Sequence, residues 1–174
     1  MAPIFKCLIC RKDIERSTKT FWIKKGHLLC STCLDNIDKN SKLTFEQLDN
    51  LKGFMPSHEG LALTKWAEKF SYYGPALEIG TFGAKSALYI AAGSSIHNQL
   101  VYTIDHHSGS EEHQLGEEYF DPEIYDENLG RVNTVPLMQS NLQKFDESKW
   151  VVPILANANS IAPSWGTELG LLFI

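Results

Sequence analysis

The sequence predicts an α/β fold, a parallel sheet with flanking helices, preceded by a small separate module. Three observations predict it. Short apolar runs alternate with amphipathic stretches from residue 57 onward, the pattern of strands joined by crossover helices. All four cysteines stand in the first 33 residues, as two Cys-x-x-Cys pairs. The charge also changes sign along the chain. Residues 1–42 carry nine Lys/Arg against four Asp/Glu, and residues 43–174 carry seven against seventeen. Two modules with different surfaces are therefore expected, 1–42 and 43–174.

Composition bounds the class. The chain has 174 residues, a net charge of −5, 43% hydrophobic and 21% charged residues, which excludes wholesale disorder. The longest apolar runs, 150–156 and 171–174, fall far short of the roughly 20 residues of a membrane helix. The start, Met-Ala-Pro-Ile-Phe-Lys-Cys, lacks an apolar signal core of roughly 7–15 residues. A cytoplasmic protein with no membrane partner is expected.

In the first module Cys7 and Cys10 are followed, nineteen residues later, by Cys30 and Cys33. A two-residue gap lets both thiolates of a pair turn onto one ion, and two pairs complete the tetrahedron that zinc accepts. Four protein ligands leave no open position, so the expected zinc is structural. It would supply folding free energy that so short a segment cannot gain from burial. Disulfides or free thiols are the competing reading, and His27 stands either as a replacement ligand or beside the site. Short strands at 20–23 and 27–29 around the Lys24-Lys25-Gly26 turn, then a helix near Leu34 and Ile37, give the order knuckle, hairpin, helix. This order over about residues 5–40 resembles a treble-clef zinc finger. Arg11, Lys12, Arg16, Lys19, Lys24 and Lys25 surround the cysteines. They read as phosphate contacts for nucleic acid, or as the solvated face of a very small module.

The second module opens on Thr44-Phe45-Glu46-Gln47, a capping box before a helical pattern at Phe45, Leu48 and Leu51. Ser57 is the expected cap of the next helix, with Leu61, Leu63, Trp66, Ala67 and Phe70 on its apolar face. Residues 76–80 read as a buried strand, 86–92 as a helix and 100–105 as a second strand. Residues 135–145 read as a helix with Pro136 in its first turn. A third strand over 150–156, a short helix over 161–165 and a fourth strand over 169–174 complete the order. Trp66, Tyr72, Tyr73, Trp150 and Trp165 are expected in the core and interfaces. Between Lys85 and Arg131 there is no Lys or Arg, and eight carboxylates crowd into residues 111–127. That segment reads as a solvated lid. With His106, His107 and His113 it also reads as a divalent-metal site.

The chemistry concentrates at the first strand-to-helix turn, Leu77-Glu78-Ile79-Gly80-Thr81-Phe82-Gly83-Ala84-Lys85-Ser86. Glycines at a strand's carboxyl end let backbone approach a ligand. Neither the Gly-x-Gly-x-x-Gly of nicotinamide sites nor a phosphate loop is present. Asp105 ends the second strand twenty-five residues after Gly80, where an acid accepts both hydroxyls of a ribose. Glu78 reads either as a group that orients a ligand ammonium or as a strand-end acid satisfied by backbone.

From about Ser57 onward these residues resemble the class I S-adenosylmethionine-dependent methyltransferases, in the branch near catechol and macrocin O-methyltransferases. The resemblance implies a partial Rossmann-like parallel sheet and methylation of a small-molecule acceptor, at oxygen. It implies that Gly80, Thr81, Phe82, Gly83 and Ser86, with Glu78, cradle the methionine end of the cofactor. Asp105 would hold the ribose, and His106 beside it would also contact the cofactor. Asn157 and Asn159, in the loop 154–160, would border the adenine. Ala84 departs from the family by standing where a second glycine is usual, which would crowd the cofactor. Ala156 and Ala158 stand where glycine and serine are frequent. In metal-dependent members an Asp-containing turn follows the fourth strand and binds magnesium. This chain stops at Ile174, where that turn would begin. A truncated domain follows, with its activity alone in question and residues 169–174 as an apolar edge for a partner or second copy. Catalytic residues are not assignable. The alternative is a zinc-finger binding module for nucleic acid or protein on a degenerate methyltransferase scaffold, and a gene fragment is a third reading.

Overall fold

In the computed structural model the described residues are 45–174. The chain divides into two units, Met1–Glu46 and Gln47–Ile174. The expected zinc ligands Cys7, Cys10, Cys30 and Cys33, the treble-clef reading, the basic cluster and the capping residue Thr44 lie outside the described residues.

Residues 45–49 are helical, and Leu48 is fully buried. The first long helix, α1, spans Ser57–Phe70. Its cap differs from the expected one. Ser57 is the first helical residue, Pro56 precedes it, and no side chain caps the helix. The carbonyl of Pro56 accepts from the amides of Glu59 and Gly60 instead, so the backbone itself closes the first turn. The buried stripe is Gly60, Leu63 and Ala67, which follows the i, i+3/i+4 rule. Leu61 and Trp66 lie on the outer side, and Trp66 is 52% exposed. There Trp66 stacks on Phe70 at 5.5 Å between centroids, with the Lys69 ammonium over both rings. Tyr72 and Tyr73, in the turn after α1, are also exposed and meet edge-on. These three aromatics form surface clusters outside the core of the unit. Their rings cover each other, and small residues fill the helix face that meets the core. Trp150 does pack on the core, and Trp165 sits edge-on to Tyr102.

Strand β1 (Ala76–Ile79) leads into helix α2 (Lys85–Ser94), and strand β2 (Val101–Asp105) follows. The segment after β2 holds a two-stranded antiparallel hairpin, β3 (Tyr125–Asp126) with β4 (Arg131–Val132). Helix α3 spans Val135–Leu142 with Pro136 in its first turn. Strand β5 (Val151–Leu155), the short helix α4 (Ala158–Ile161) and strand β6 (Leu171–Phe173) complete the unit. The last predicted helix begins three residues earlier than expected. Asn157 caps it, with its side-chain oxygen accepting from the amide of Asn159.

The main sheet has the order β5-β2-β1-β6, and every pairing in it is parallel. Helices flank it, which makes the unit Rossmann-like. Helix α2 carries a run of buried Ala87, Leu88, Tyr89, Ile90 and Ala91, as an element covered on nearly all sides should. It packs between α1 and the sheet. The close crossing of α1 and α2 requires Gly93, where an added Cβ would lie 2.2 Å from the Thr64 carbonyl oxygen. Thr64 also donates its hydroxyl to the Tyr89 carbonyl at 2.9 Å, tying the helices together. Among the described residues no helix is long and apolar enough to cross a membrane.

Candidate functional site

The topology fixes where a ligand can sit. From β1 the chain steps to β2 and then to β5 on one side, and returns to place β6 on the other side of β1. The order therefore reverses between β1 and β6. In open parallel sheets this switch point leaves a crevice at the carboxyl ends of the strands. The register brings those ends level, with Ile79 beside Ile104, Asp105 beside Leu155 and Glu78 beside Phe173. A cleft of about 290 Å³ opens there, lined by the turn after β1 together with Phe54, Glu59 and Phe173.

The turn adopts left-handed backbone repeatedly. Gly80 has φ of +97°, Phe82 +46° and Ala84 +65°. At Gly80 an added Cβ would meet nothing within 4 Å, so the glycine serves the backbone conformation and leaves open space above it. Gly83 differs. Its missing Cβ faces α3, where Leu137 and Asn141 stand 3.1 and 3.2 Å away. The Asn141 side-chain amide donates to the Gly83 carbonyl at 2.9 Å. Helix α3 thus holds the turn from behind. Ala84 was expected to crowd the cleft. It is fully buried, its methyl belongs to the core cluster, and it does not line the cleft. The left-handed backbone turns that side chain inward.

Beneath the turn lies a buried polar chain. Glu78 and Thr103 are register partners on β1 and β2, so their side chains share one face. Thr103 donates its hydroxyl to Glu78 Oε2 at 2.5 Å, and the Thr81 hydroxyl lies 2.5 Å from that of Thr103. Since Thr103 has one hydroxyl proton, it must accept from Thr81 when it donates to Glu78. Glu78 is fully buried, and its Oε1 has no hydrogen-bond partner. Burial raises the Glu78 pKa to about 7, against the lowering pull of Ser86 and Thr103, with the Asp105 charge adding to the rise. Glu78 is therefore held by side chains, and the strand-end backbone contributes none of its hydrogen bonds in the structure.

Asp105 organises the rim. Its Oδ2 accepts from the Phe82 amide at 2.9 Å, and its Oδ1 accepts from the His107 amide at 2.7 Å. One carboxylate so pins the glycine turn to the segment that leaves β2. Each oxygen keeps a further lone-pair direction.

Of the residues expected to hold a cofactor, Gly80, Thr81, Phe82, Gly83 and Ser86 line the cleft together. Asp105 is bonded to that turn, and Glu78 lies below it. His106, Asn157 and Asn159 do not line the cleft. All three are exposed, beside Asp105 at the ends of β2 and β5. His106 Nδ1 accepts from the Ser108 amide, and Asn157 serves the α4 cap. Sequence reasoning missed Phe54, Glu59, Lys85 and Phe173 as lining residues. Lys85 had one usable signal, its place at the start of the helix after the glycine turn. It is buried and donates to the Asp49 carbonyl at 3.1 Å. Asp49 also accepts from the Tyr89 hydroxyl. That bond holds the Asp49 carboxyl below its usual range, while burial first, and then Asp49, push the Tyr89 hydroxyl up.

The metal reading of the acidic segment is corrected. Among the described residues no three of His, Cys, Asp or Glu converge where a metal ion could sit. His107 is buried, with Nδ1 at 2.6 Å from the Thr134 hydroxyl. His106 is exposed, and His113 lies near the rings of Phe54 and Tyr119. The three point to different neighbourhoods because the left-handed backbone at His107 (φ 58°) turns the chain between them.

No family model matches the sequence. Among solved structures, cofactor-bound Rv0187 from MTB is similar, with a TM-score of 0.46 and 18% identity over 74% of this chain and 47% of that one. The chain spans about half the length of that neighbour.

Proposed function

We propose that the cleft at the β1/β6 switch point binds S-adenosylmethionine and that the protein belongs to a methyl-transfer system acting on a small-molecule acceptor, at oxygen. The observation that carries this reading is the fully buried Glu78, with one oxygen unpartnered, under a glycine turn that opens onto the cleft. A buried carboxylate costs several kcal/mol without compensation. A cationic ligand group near it, reached through Ser86 or a water, would supply what the protein leaves out.

The residues present fit that group. Gly80 gives backbone access where a Cβ has free space. The first turn of α2 presents its unpaired amides at Ser86 on the cleft wall. Asp105 keeps lone pairs for two ribose hydroxyls while its present bonds fix its orientation. His106, Asn157 and Asn159, beside Asp105 on the side away from β6, would flank the nucleoside. When bound, S-adenosylmethionine supplies a methyl on a sulfonium centre, so transfer to an acceptor needs no redox partner. The chain's own contribution is to orient that centre and to exclude water around it.

Calorimetry of the full chain with S-adenosylmethionine tests the reading. One saturable binding event per chain is expected, with a matching thermal shift. A folded sample that gives neither heat nor shift overturns it.

A further inference from the structure

Beside the cofactor cleft lies a second recess of about 370 Å³. The two share Gly53, Phe54 and Phe82 in their walls, so ligands in each would be neighbours. Its size falls in the range of small-molecule pockets.

The recess is walled by rings. Phe54 and Phe82 lie 5.4 Å apart, Phe54 and His113 5.9 Å, and His113 and Tyr119 6.4 Å, all tilted to one another. Phe120 adds a fifth ring to the lining. Phe54 is 73% exposed and Tyr119 52% exposed, although the protein has buried apolar positions for other aromatics. Rings held open to solvent around a cavity mark a binding surface more than a packing one.

Charge then decides what such a box prefers. Among the described residues, Lys52 is the one cationic residue of its lining, and its ammonium is taken by both Asp121 and Glu123. One carboxylate more than the lysine needs is left there. On the far side of Tyr119 stand Glu111, Glu112, Glu117 and Glu118, and no Lys or Arg occurs between residues 85 and 131. An anion would meet ring faces and a negative rim, both repulsive. A neutral ring would gain from burial alone. An organic cation gains from burial, from the negative faces of the rings and from the field of the rim.

We propose that this recess is the acceptor subsite and that it takes a small organic cation, an ammonium group carried on an apolar body. As an acceptor site the proposal rests on the cofactor reading above. As a cation site it stands on the recess alone.

The test uses three probes of equal size on the full chain at pH 7.5: benzylammonium, benzyl alcohol and benzoate, titrated by calorimetry or saturation-transfer NMR. Benzylammonium is expected to bind about tenfold more tightly than benzyl alcohol, and benzoate more weakly than both. Tyr119→Leu and Phe54→Leu keep apolar bulk and remove a ring face. Each should reduce the preference for the cation several-fold while benzyl alcohol binding changes little. Tyr119→Leu should leave S-adenosylmethionine binding unchanged. Equal binding of cation and alcohol, tighter benzoate binding, or no binding of any probe overturns the proposal. The cofactor titration is read separately. A chain that binds S-adenosylmethionine without cation preference loses the recess proposal only. A chain that selects benzylammonium but does not bind S-adenosylmethionine overturns its role as a methyl-acceptor subsite.

Discussion

Glu78 is where burial and binding meet. Its pKa, raised from 4.5 to about 7, leaves it protonated in mildly acid solution and ionised above neutrality. If the ionised form receives the cofactor's ammonium, affinity should fall several-fold between pH 7.5 and pH 6, and Glu78→Gln should weaken binding and flatten that dependence. Titration calorimetry at the two pH values reads both effects. Stability runs the other way. A folded pKa above the unfolded one means that the native state holds the proton more tightly. The contribution is complete below about pH 4.5 and is lost as pH rises through about 7. The unfolding free energy of the wild type relative to Glu78→Gln, read by denaturant titration, should therefore fall from pH 5 to pH 8, by on the order of 3 kcal/mol at most. The internal comparison is needed because His107, pushed down first by burial, has the opposite slope. Its contribution is present above about pH 6.5 and is lost as pH falls through its lowered value. Asp105 makes a separate prediction. Asp105→Ala frees the amides of Phe82 and His107 and should cost about 2–3 kcal/mol, together with at least tenfold in cofactor affinity. Denaturant unfolding and calorimetry measure the two losses, and Asp105→Asn, which keeps one acceptor oxygen, should fall between.

At the scale of elements, the crossing of α1 and α2 is what sets α2, and with it the wall of the cleft that carries Ser86. Gly93→Ala would drive a methyl onto the Thr64 carbonyl and toward the Glu68 amide. Both are backbone, so neither yields cheaply. The variant should lose about 2–3 kcal/mol or more in denaturant unfolding, while Gly166→Ala, with open space around it, should lose almost nothing. The same elements show what the sequence could disclose. The four strands of the main sheet and most of the helices were legible because apolar runs such as 76–79 and 101–104 are bounded by Pro75, Gly80 and polar turns, and because Pro136 marks a first turn. Gly80 and Asp105 were legible through their spacing. The hairpin of β3 and β4 was not, since two-residue strands carry no periodicity and Asp126 builds its turn by accepting from the amides of Asn128 and Leu129. Neither was the outward side of α1. Leucine and tryptophan look alike to a pattern, and only the packed helix shows that Gly60 faces inward while Leu61 and Trp66 stay out. Phe54 and Phe173 reach the cleft through tertiary placement alone, and no local signal could name them.

At the scale of the whole molecule, two opposed features lead to a prediction about self-association. Among the described residues β6 pairs only with β1, and within them no strand lies along its outer edge. Leu172 is 53% exposed and Ile174 84% exposed beside it. Such an edge favours strand addition by another chain. Against this, the full chain carries a net charge of −5, the ten-charge acidic excess of residues 43–174 being half offset by residues 1–42, and net like charge keeps copies apart at low ionic strength. At roughly 0.5 M salt the screening length falls to about 4 Å, so the repulsion is lost while the apolar attraction is kept. Self-association of the full chain, followed by sedimentation velocity, should therefore rise with salt. Leu172→Lys puts a charge on the edge strand, a device that natural sheets use to discourage pairing. The variant should sediment as a smaller species than wild type at the same high salt, with S-adenosylmethionine binding unchanged because Leu172 is absent from the cleft lining. Association that falls with salt, or that ignores the substitution, would place the contact on charged surface and leave the β6 edge uninvolved.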